Sequence, residues 1–296
     1  MKIRRTDLAV EARELWQEGA GQAARLPGVT AEEGNREGIP VTTVRILDEE
    51  GEKALGKPRG NYVTLTLDGV ARREENIFGR AARAVAGELS TLLEGVAPDG
   101  LVLVVGLGNR AITPDAIGPK VHERTLVTRH LVRQMPEHFG SFRPVASLAA
   151  EVMGNTGMES GEVARAVCED IRPVCFIVVD ALASRSVDRL CRTVQLSDTG
   201  ITPGSGVGNH RVGLNRESLG VPVIAVGVPT VVDGATLAAD LTGAEDLPPL
   251  GKGGSLLVTP KDIDSQVSDL SHIIGYGISL ALQPGLTVED LDLLLN

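Results

Sequence analysis

The chain has 296 residues, of which 42% are hydrophobic but only 2% aromatic, so its core must consist mainly of Val, Leu, Ile and Ala. The formal net charge of −10 argues against a nucleic-acid-binding or anionic-membrane surface, because both need clustered Lys and Arg. No stretch approaches the roughly 20 apolar residues that span a bilayer, and no apolar run follows the basic start, so we expect a cytoplasmic protein. Three cysteines without C-x-x-C spacing (Cys168, Cys175 and Cys191) fit buried thiols in a reducing compartment.

The first hundred residues predict one helix, two half-exposed strands and a second helix. Residues 10–25 have a helical pattern interrupted by glycine, and a charged, glycine-rich segment then runs to Pro40. Apolar and polar residues alternate over 41–47 and over 62–67, which is typical of half-exposed strands and predicts a hairpin-like unit. Ala and Leu at spacings of three and four predict a helix over 77–93.

From residue 101 onward, predicted strands and helices alternate. Apolar runs typical of strands buried on both faces occupy 101–105, 174–179 and 221–226, with shorter strands at 145–148, 193–196 and 255–258. Helical patterns occupy 115–134, 160–170 and 263–282. This alternation predicts an α/β protein, a three-layer fold with a mostly parallel central sheet, preceded by the small hairpin-like N-terminal region.

An aspartate follows each of the three long apolar strands. Gly106 and Gly108 permit a sharp turn after the first strand and Asp115 comes shortly afterwards, whereas Asp180 directly follows the second strand and Asp233 the third. Open α/β sheets place their sites at this edge. Because neighbouring strands lie about 5 Å apart, we expect Asp115 and Asp180 to hold one water between them, for amide hydrolysis by a general base and a general acid. Helix N-capping is the competing interpretation of each aspartate, and metal binding is the competing chemistry of the pair.

Three further sequence features are weak evidence for a dinucleotide site, a pepsin-type site and a metal site. Gly106-x-Gly108-x-x-Ala111 matches the dinucleotide fingerprint, but Pro114 interrupts the helix that should follow. Asp198-Thr-Gly200 is the tripeptide of pepsin-like proteases, which are all-β, so we interpret it as part of a glycine-rich loop near the site. The five histidines include no H-x-x-x-H pair, and only His210, beside that loop, is a candidate metal ligand.

Several blocks of the sequence, in their order, resemble the spore germination protease family. These blocks are Val105-Gly-Leu-Gly-Asn109 with Thr113-Pro-Asp-Ala116 and Gly118-Pro119, then Asp180-Ala-Leu-Ala-Ser-Arg185, Ser197-Asp-Thr-Gly200 with the glycine-rich run to Asn209, Gly227-Val-Pro-Thr-Val-Val-Asp233 and Val258-Thr-Pro-Lys261. The resemblance extends from Arg5 to the end of the last long helix. The shorter Gly-x-Gly-Asn theme with its following Asp is shared with hydrogenase maturation endopeptidases, which are similar in fold.

The resemblance implies an atypical aspartic-type endopeptidase, a hydrolase that initiates degradation of small acid-soluble spore proteins in the spore core during germination. It also implies a homotetrameric zymogen activated by autocatalytic cleavage, with Asp115 and Asp180 as the catalytic pair. We expect no cofactor and no bound metal. Family targets carry Thr or Ser and Glu before an apolar residue, then Ala and later Glu, and Thr6-Asp-Leu-Ala-Val-Glu11 resembles such a target. We therefore expect cleavage between Asp7 and Leu8, which divides the chain into a prosegment, 1–7, and a single peptidase domain, 8–296.

Four further residues are candidates for supporting the pair. Asn109 and Ser184 are expected to donate hydrogen bonds to it, and Asp198 and Asp233 to orient it. Two alternatives remain open: a metal-assisted maturation-type peptidase that uses the same two acids with His210 as ligands, and a catalytically silent homologue that only binds peptides.

Overall fold

The computed structural model of the protein describes residues 5–20, 26–204, 212–243 and 256–295, and within them helices pack on both faces of one nine-stranded sheet. The order of strands across the sheet is β1-β2-β3-β7-β8-β6-β4-β5, and β9 pairs with β8. The strands are β1 (Val29–Arg36), β2 (Ile39–Ile46), β3 (Gly60–Thr66), β4 (Val102–Leu107), β5 (Val145–Ala150), β6 (Cys175–Ser184), β7 (Thr193–Ser197), β8 (Val223–Asp233) and β9 (Leu257–Val258).

The sheet has a parallel half and an antiparallel half. Strands β5, β4, β6 and β8 pair in parallel, which agrees with their nearly continuous apolar sequences. Strands β1, β2, β3 and β7 pair antiparallel, and β7 joins the two halves by pairing antiparallel with β8. The three-layer α/β fold is therefore confirmed, with a sheet that is mixed. The predicted hairpin is present as β2 and β3, but it continues the central sheet because β3 pairs with β7.

The helices form two layers, one on each face of the sheet. Helices α4, α5 and α12 cover one face, while α9 covers the parallel half of the other face and α1 and α2 cover its antiparallel half. No helix within the described ranges combines the length and the apolar character needed to cross a membrane. The helices are α1 (Ala9–Ala20), α2 (Glu49–Leu55), α3 (Asp68–Ala71), α4 (Ile77–Leu92), α5 (Ile117–Glu123), α6 (Arg129–Gln134), α7 (Pro136–Phe139), α8 (Met153–Thr156), α9 (Ser160–Ile171), α10 (Arg216–Leu219), α11 (Gly234–Thr242), α12 (Ile263–Leu282) and α13 (Val288–Leu295).

Among the regions that differ from the sequence predictions are the segment before Pro40 and the stretch after α5. The charged segment before Pro40 contains the edge strand β1, whose side chains are mostly exposed, so it carries no apolar pattern. The single helix predicted over 115–134 is interrupted before Arg129. Thr128 causes this break, because its hydroxyl donates to the carbonyl oxygen of Arg143 at 2.5 Å and accepts from the N–H of Val145 at 2.9 Å, which ties the chain to the start of β5.

The three cysteines are unpaired, as predicted. Burial raises the pKa of Cys175 to about 11 and that of Cys191 to about 12. Both thiols therefore stay protonated near neutral pH and act as small apolar side chains.

His272 lies in an aromatic cluster between α4 and α12. The centre of its ring is 4.6 Å from that of Phe78 and 4.5 Å from that of Tyr276. Burial lowers the pKa of His272 below its ordinary value of 6.5, and Arg124 lowers it further, although nearby aspartates partly oppose this. The unfolded chain therefore binds this proton more readily than the folded chain does, so the free energy of unfolding falls as the pH drops below 6.5.

We expect His272→Phe to reduce the loss of stability between about pH 7 and pH 5, because the variant has no group to protonate in the cluster. Urea denaturation across that range would measure this effect. His138→Phe is the matched control, because the His138 side chain is 72% exposed and should leave the pH dependence unchanged. A His272→Phe protein whose stability falls with pH as steeply as that of the wild type would contradict the assignment.

Candidate active site

Glycines allow the chain after β4 to fold back onto that strand. A Cβ at Gly106 would lie 2.1 Å from the carbonyl oxygen of Gly118, and a Cβ at Gly108 would lie 2.0 Å from the carbonyl oxygen of Asp115. Gly108 also has a φ of +113°, which favours glycine. Only glycine therefore lets the 3₁₀ turn Thr113–Asp115 pack directly against the end of β4, and this packing positions Asp115.

The Asp115 side chain is half-buried and turned back towards β4. Its Oδ2 accepts a hydrogen bond of 2.8 Å from the backbone N–H of Asn109. The Asn109 side chain stabilises its own loop, because its Oδ1 accepts a hydrogen bond from the N–H of Ala111 at 2.9 Å. The contact that links Asn109 to Asp115 here is therefore made by the backbone N–H of Asn109.

Asp180 lies inside β6 and not beyond its end. The strand continues to Ser184 because β8 runs alongside it, with one irregularity in the ladder. Asp180 is 6% exposed and pairs with Gly227 of β8. Its Oδ1 accepts from the N–H of Ala181 at 2.9 Å. Helix N-capping does not explain Asp180, because the residues that follow it belong to a strand.

Asp115 and Asp180 line the same cleft. This cleft has a volume of about 370 Å³ and lies at the carboxyl ends of the parallel strands, where α/β sheets place their sites. Electrostatic interactions are stronger in such an apolar setting than in water. The apolar side chains of its walls include Leu107, Ile112, Pro114, Val152, Leu182 and Leu257.

The two other predicted aspartates lie outside this cleft. Asp198 is exposed and ties β7 to β3, because its carboxylate accepts from the N–H and from the side-chain amide of Asn61, at 2.8 and 2.6 Å. Asp233 is the N-cap of α11 and accepts from the N–H of Thr236 at 3.0 Å. For these two residues the local structural interpretation fits better than an orienting role.

Ser184 also lies away from the pair. It is four residues beyond Asp180 along β6, and a strand rises by about 3.3 Å per residue, so the two are separated by roughly 13 Å. The Ser184 hydroxyl is buried and donates to the carbonyl oxygen of Ser186 at 3.0 Å. In the structure the Ser184 hydroxyl therefore bonds to the chain that leaves the end of β6.

The N-terminal segment, residues 5–11, reaches the cleft through Asp7, which lines it together with both predicted catalytic aspartates. The N–H of Asp7 donates to the carbonyl oxygen of Ala183 at 2.9 Å, and the N–H of Ala183 donates to Oδ2 of Asp7 at 2.9 Å. Leu8 is fully buried and packs against Leu182. The segment is thus held at the edge of the cleft by hydrogen bonds to the backbone of β6.

Glu11 fixes the end of this segment. Its side chain is fully buried and accepts from the N–H of Arg185 at 2.7 Å and from that of Ser186 at 3.0 Å. Arg189 Nη1 donates to it at 3.2 Å, and the hydroxyl of Thr6 donates as well. A buried charge with this many donors is compensated, whereas removing the donors or the carboxylate alone would leave a buried polar group without a partner.

Comparison with known proteins gives the family of the chain. The model of the germination protease family matches residues 9–244. The chain belongs to this germination protease family. Relatives named germination protease include those of Caldanaerobacter subterraneus subsp. tengcongensis and Clostridium perfringens, both 44% identical, over 99% of this chain and 98% and 99% of their own lengths. The germination protease of Bacillus cereus is 37% identical over 94% of this chain and 93% of its own length.

Membership of the germination protease family makes the protein a peptidase. Among solved structures, a nickel–iron hydrogenase maturation protease from Thermococcus kodakarensis is similar over 64% of this chain and 98% of its own, with 17% sequence identity and a TM-score of 0.37.

Two residues of this germination protease contact the predicted cleavage site although no sequence motif contains them. Lys57 Nζ donates to the carbonyl oxygen of Asp7 at 2.7 Å, and Gln195 Nε2 donates to the same oxygen at 3.2 Å. Lys57 follows α2, and Gln195 lies in β7, so only the tertiary fold brings them together. The available sequence signal is the polar Gln195 between Val194 and Leu196, which face the opposite side of the sheet.

The candidate metal ligands can be placed only in part. Among the residues that the structure describes, no group of three or more His, Cys, Asp or Glu side chains could hold a metal ion. His210, the predicted ligand, falls within 205–211 and so lies outside the described residues. His122 Nδ1 is 2.7 Å from the hydroxyl oxygen of Ser147, and its ring does not line the cleft.

Proposed function

We infer that this peptidase initiates the degradation of small acid-soluble spore proteins during germination, and that it is made as a zymogen that cuts its own chain between Asp7 and Leu8. The observation that supports the proposal is the position of Asp7, which lines the same cleft as Asp115 and Asp180. The resemblance of residues 6–11 to the family's targets supports the same bond. Residues 1–7 would then be the prosegment, and 8–296 the single peptidase domain.

The proposed chemistry is hydrolysis by water without a covalent intermediate. Two neighbouring carboxylates do not both ionise readily, so the pair of Asp115 and Asp180 would carry one proton between them. The ionised member takes a proton from water, whose oxygen attacks the peptide carbonyl carbon, and the protonated member donates to the peptide. This makes the protein an aspartic-type endopeptidase in mechanism, although its α/β fold differs from that of the pepsin-like enzymes.

The family resemblance also suggests where the protein acts and how many copies assemble. We propose that the protein acts as a homotetramer in the cytoplasm of the spore core, on protein substrates, without direct binding to nucleic acid or membrane. The net charge of −10 supports the last point. Light scattering coupled to size-exclusion chromatography would measure the oligomeric state directly.

The decisive experiment is the intact mass of the purified full-length protein after incubation at mildly acidic and neutral pH. We expect the wild type to lose residues 1–7 and both Asp115→Asn and Asp180→Asn to stay whole, because each removes one member of the acid pair. Every protein is incubated with and without a chelator, which tests the metal-assisted alternative.

Each outcome decides between the candidate functions. Cleavage that persists in both variants would remove the aspartate pair from the mechanism. Cleavage of the wild type that stops on chelation and returns on adding a divalent metal would favour the metal-assisted peptidase. A wild-type chain that stays whole under all conditions would leave the peptide-binding homologue as the better interpretation.

A further inference from the structure

Three adjacent strands align a row of residues beneath the segment 5–11. Gln195 of β7 pairs with Gly227 of β8, and Gly227 pairs on its other side with Asp180 of β6. Directly paired residues point to the same face of a sheet, and neighbouring strands lie about 4.8 Å apart. Gln195 and Asp180 therefore flank a position without a side chain, on the face that carries the cleft.

The Leu182 side chain fills the space above Gly227, since a Cβ there would lie 2.3 Å from Leu182 Cδ1, and the segment packs against Leu182. The cleft with both catalytic aspartates and a second cavity of about 300 Å³ share Asp7 and Leu182 in their walls. Lys57 and Gln195 line the second cavity. Asp7 thus borders both the cleft that the acid pair lines and the cavity that these two hydrogen-bond donors line.

Gln195 holds the peptide on both sides of the predicted scissile bond. Its Oε1 accepts from the N–H of Ala9 at 2.7 Å, and its Nε2 donates to the carbonyl oxygen of Asp7 at 3.2 Å. The N–H of Ala9 fixes the orientation of the amide, because only the oxygen end can accept. Lys57 Nζ reaches the same carbonyl oxygen at 2.7 Å. Two donors therefore converge on the one oxygen that gains charge when water attacks.

We propose that Lys57 and Gln195 form the oxyanion site of this peptidase. This inference rests on the proposed cleavage between Asp7 and Leu8 and assigns to that reaction the groups that stabilise its intermediate. Donors already aimed at the developing charge, in a site that excludes water, are worth about 10²–10³-fold in rate each.

With this oxyanion site, each proton and electron pair of the proposed hydrolysis has a defined donor and acceptor. The ionised carboxylate takes a proton from water, the water oxygen bonds to the carbonyl carbon of Asp7, and the carbonyl π electrons move to the oxygen that Lys57 and Gln195 hold. The electron pair then returns, the bond from carbon to the nitrogen of Leu8 breaks, and this nitrogen takes the proton of the second carboxyl group. Because Lys57 and Gln195 already stabilise the oxygen, the protonated carboxyl group of the pair can give its proton to the leaving nitrogen. The pair ends with one proton, as it began.

The surroundings of Lys57 suit this role. Burial lowers the pKa of Lys57, while Asp7 and Glu11 partly oppose the shift. An ammonium with a lowered pKa is a better hydrogen-bond and proton donor than a solvated lysine. The left-handed Gly56 ends α2, and Lys57 follows it directly, half-buried, with its Nζ on the carbonyl oxygen of Asp7.

The test compares Lys57→Met and Gln195→Glu with the matched control Lys53→Met. Met keeps the length and apolar stem of Lys57 without the donor, and Glu keeps an oxygen for the N–H of Ala9 while replacing the donor to Asp7. Lys53 is an exposed lysine of α2, so its replacement should change nothing. Two readouts are used: the rate of loss of residues 1–7 by intact mass, and kcat and KM on a synthetic peptide copying residues 3–13. The protein used on the peptide is the full chain, and thermal unfolding checks that each variant is folded.

We expect kcat on the peptide to fall about 10²–10³-fold in each of the two variants with KM changed much less, because an oxyanion site acts on the transition state. Self-cleavage should slow by a similar factor. If the wild type cuts between Asp7 and Leu8 and a folded Lys57→Met protein cuts as fast, or if only KM rises, the oxyanion assignment is wrong while the proposed function stands. If the wild type leaves both its own chain and the peptide whole, the proposed function fails and this inference with it.

Discussion

Asp180→Asn is expected to slow hydrolysis of a peptide copying residues 3–13 by about 10²–10⁴-fold, the usual contribution of a positioned general acid or base. Asparagine has the same shape, and its Oδ1 can still accept from the N–H of Ala181, the contact that Asp180 makes at 2.9 Å. The substitution therefore removes the ability to exchange a proton while the side chain stays in place. We expect little change in thermal stability and a loss that lies almost wholly in kcat.

Asp188→Asn is the matched control, because Asp188 is exposed on the 3₁₀ turn after β6. Its rate should equal that of the wild type. A folded Asp180→Asn protein that retains more than about a tenth of the wild-type kcat would be incompatible with a role in proton transfer.

Gly118→Ala is expected to have the largest effect on stability. The added Cβ would lie 2.2 Å from the carbonyl oxygen of Leu107, 2.5 Å from its nitrogen and 2.6 Å from the carbonyl oxygen of Val179. All three are backbone atoms of β4 and β6, so no side chain can turn away to make room. Overpacking a core typically costs about 1–3 kcal/mol, and we expect a loss of at least about 3 kcal/mol here. Denaturant unfolding measures it.

The Gly118→Ala variant should also lose activity, because α5 cannot move away from the sheet without carrying the turn that holds Asp115. Gly19→Ala is the control, since a Cβ at Gly19 meets nothing within 4 Å. Alanine in that helix should stabilise the protein by about 0.5–1 kcal/mol. Equal effects of the two substitutions would show that the close approach of α5 to β4 is not present.

Elements with a strong apolar period could be predicted from the sequence. Helix α12 begins and ends where the sequence predicts, because fourteen of its residues are buried and the apolar residues among them mark its whole length. The edge strand β1 could not be found this way, since it faces solvent and carries polar residues on both sides. The break before α6 could not be found either, because it depends on Thr128 bonding to residues beside β5, and that contact is tertiary.

The sequence predicts those site residues that a single strand positions. It does not predict the contacts that depend on how several strands pair. Asp115 and Asp180 each follow an apolar run, and the fold places both in one cleft. Strand β6 extends past Asp180 because it pairs with β8. The sequence Ala181-Leu-Ala-Ser184 alone does not predict this pairing. Lys57 and Gln195 meet only because β7 pairs with β8 and the N-terminal segment lies over both, so no local pattern reveals them.

Glu11 stays on the mature chain once the Asp7–Leu8 bond is cut. If the chain is cut as proposed, the buried carboxylate still holds residues 8–11 against the strand ends, and the new amino terminus stays beside the cleft as a tethered product. A tethered group has a high effective concentration, and an incoming protein must displace it before binding. On the proposed function, freshly processed enzyme is therefore product-inhibited by its own N-terminus, and its first turnovers in trans should show a lag that Glu11→Gln shortens.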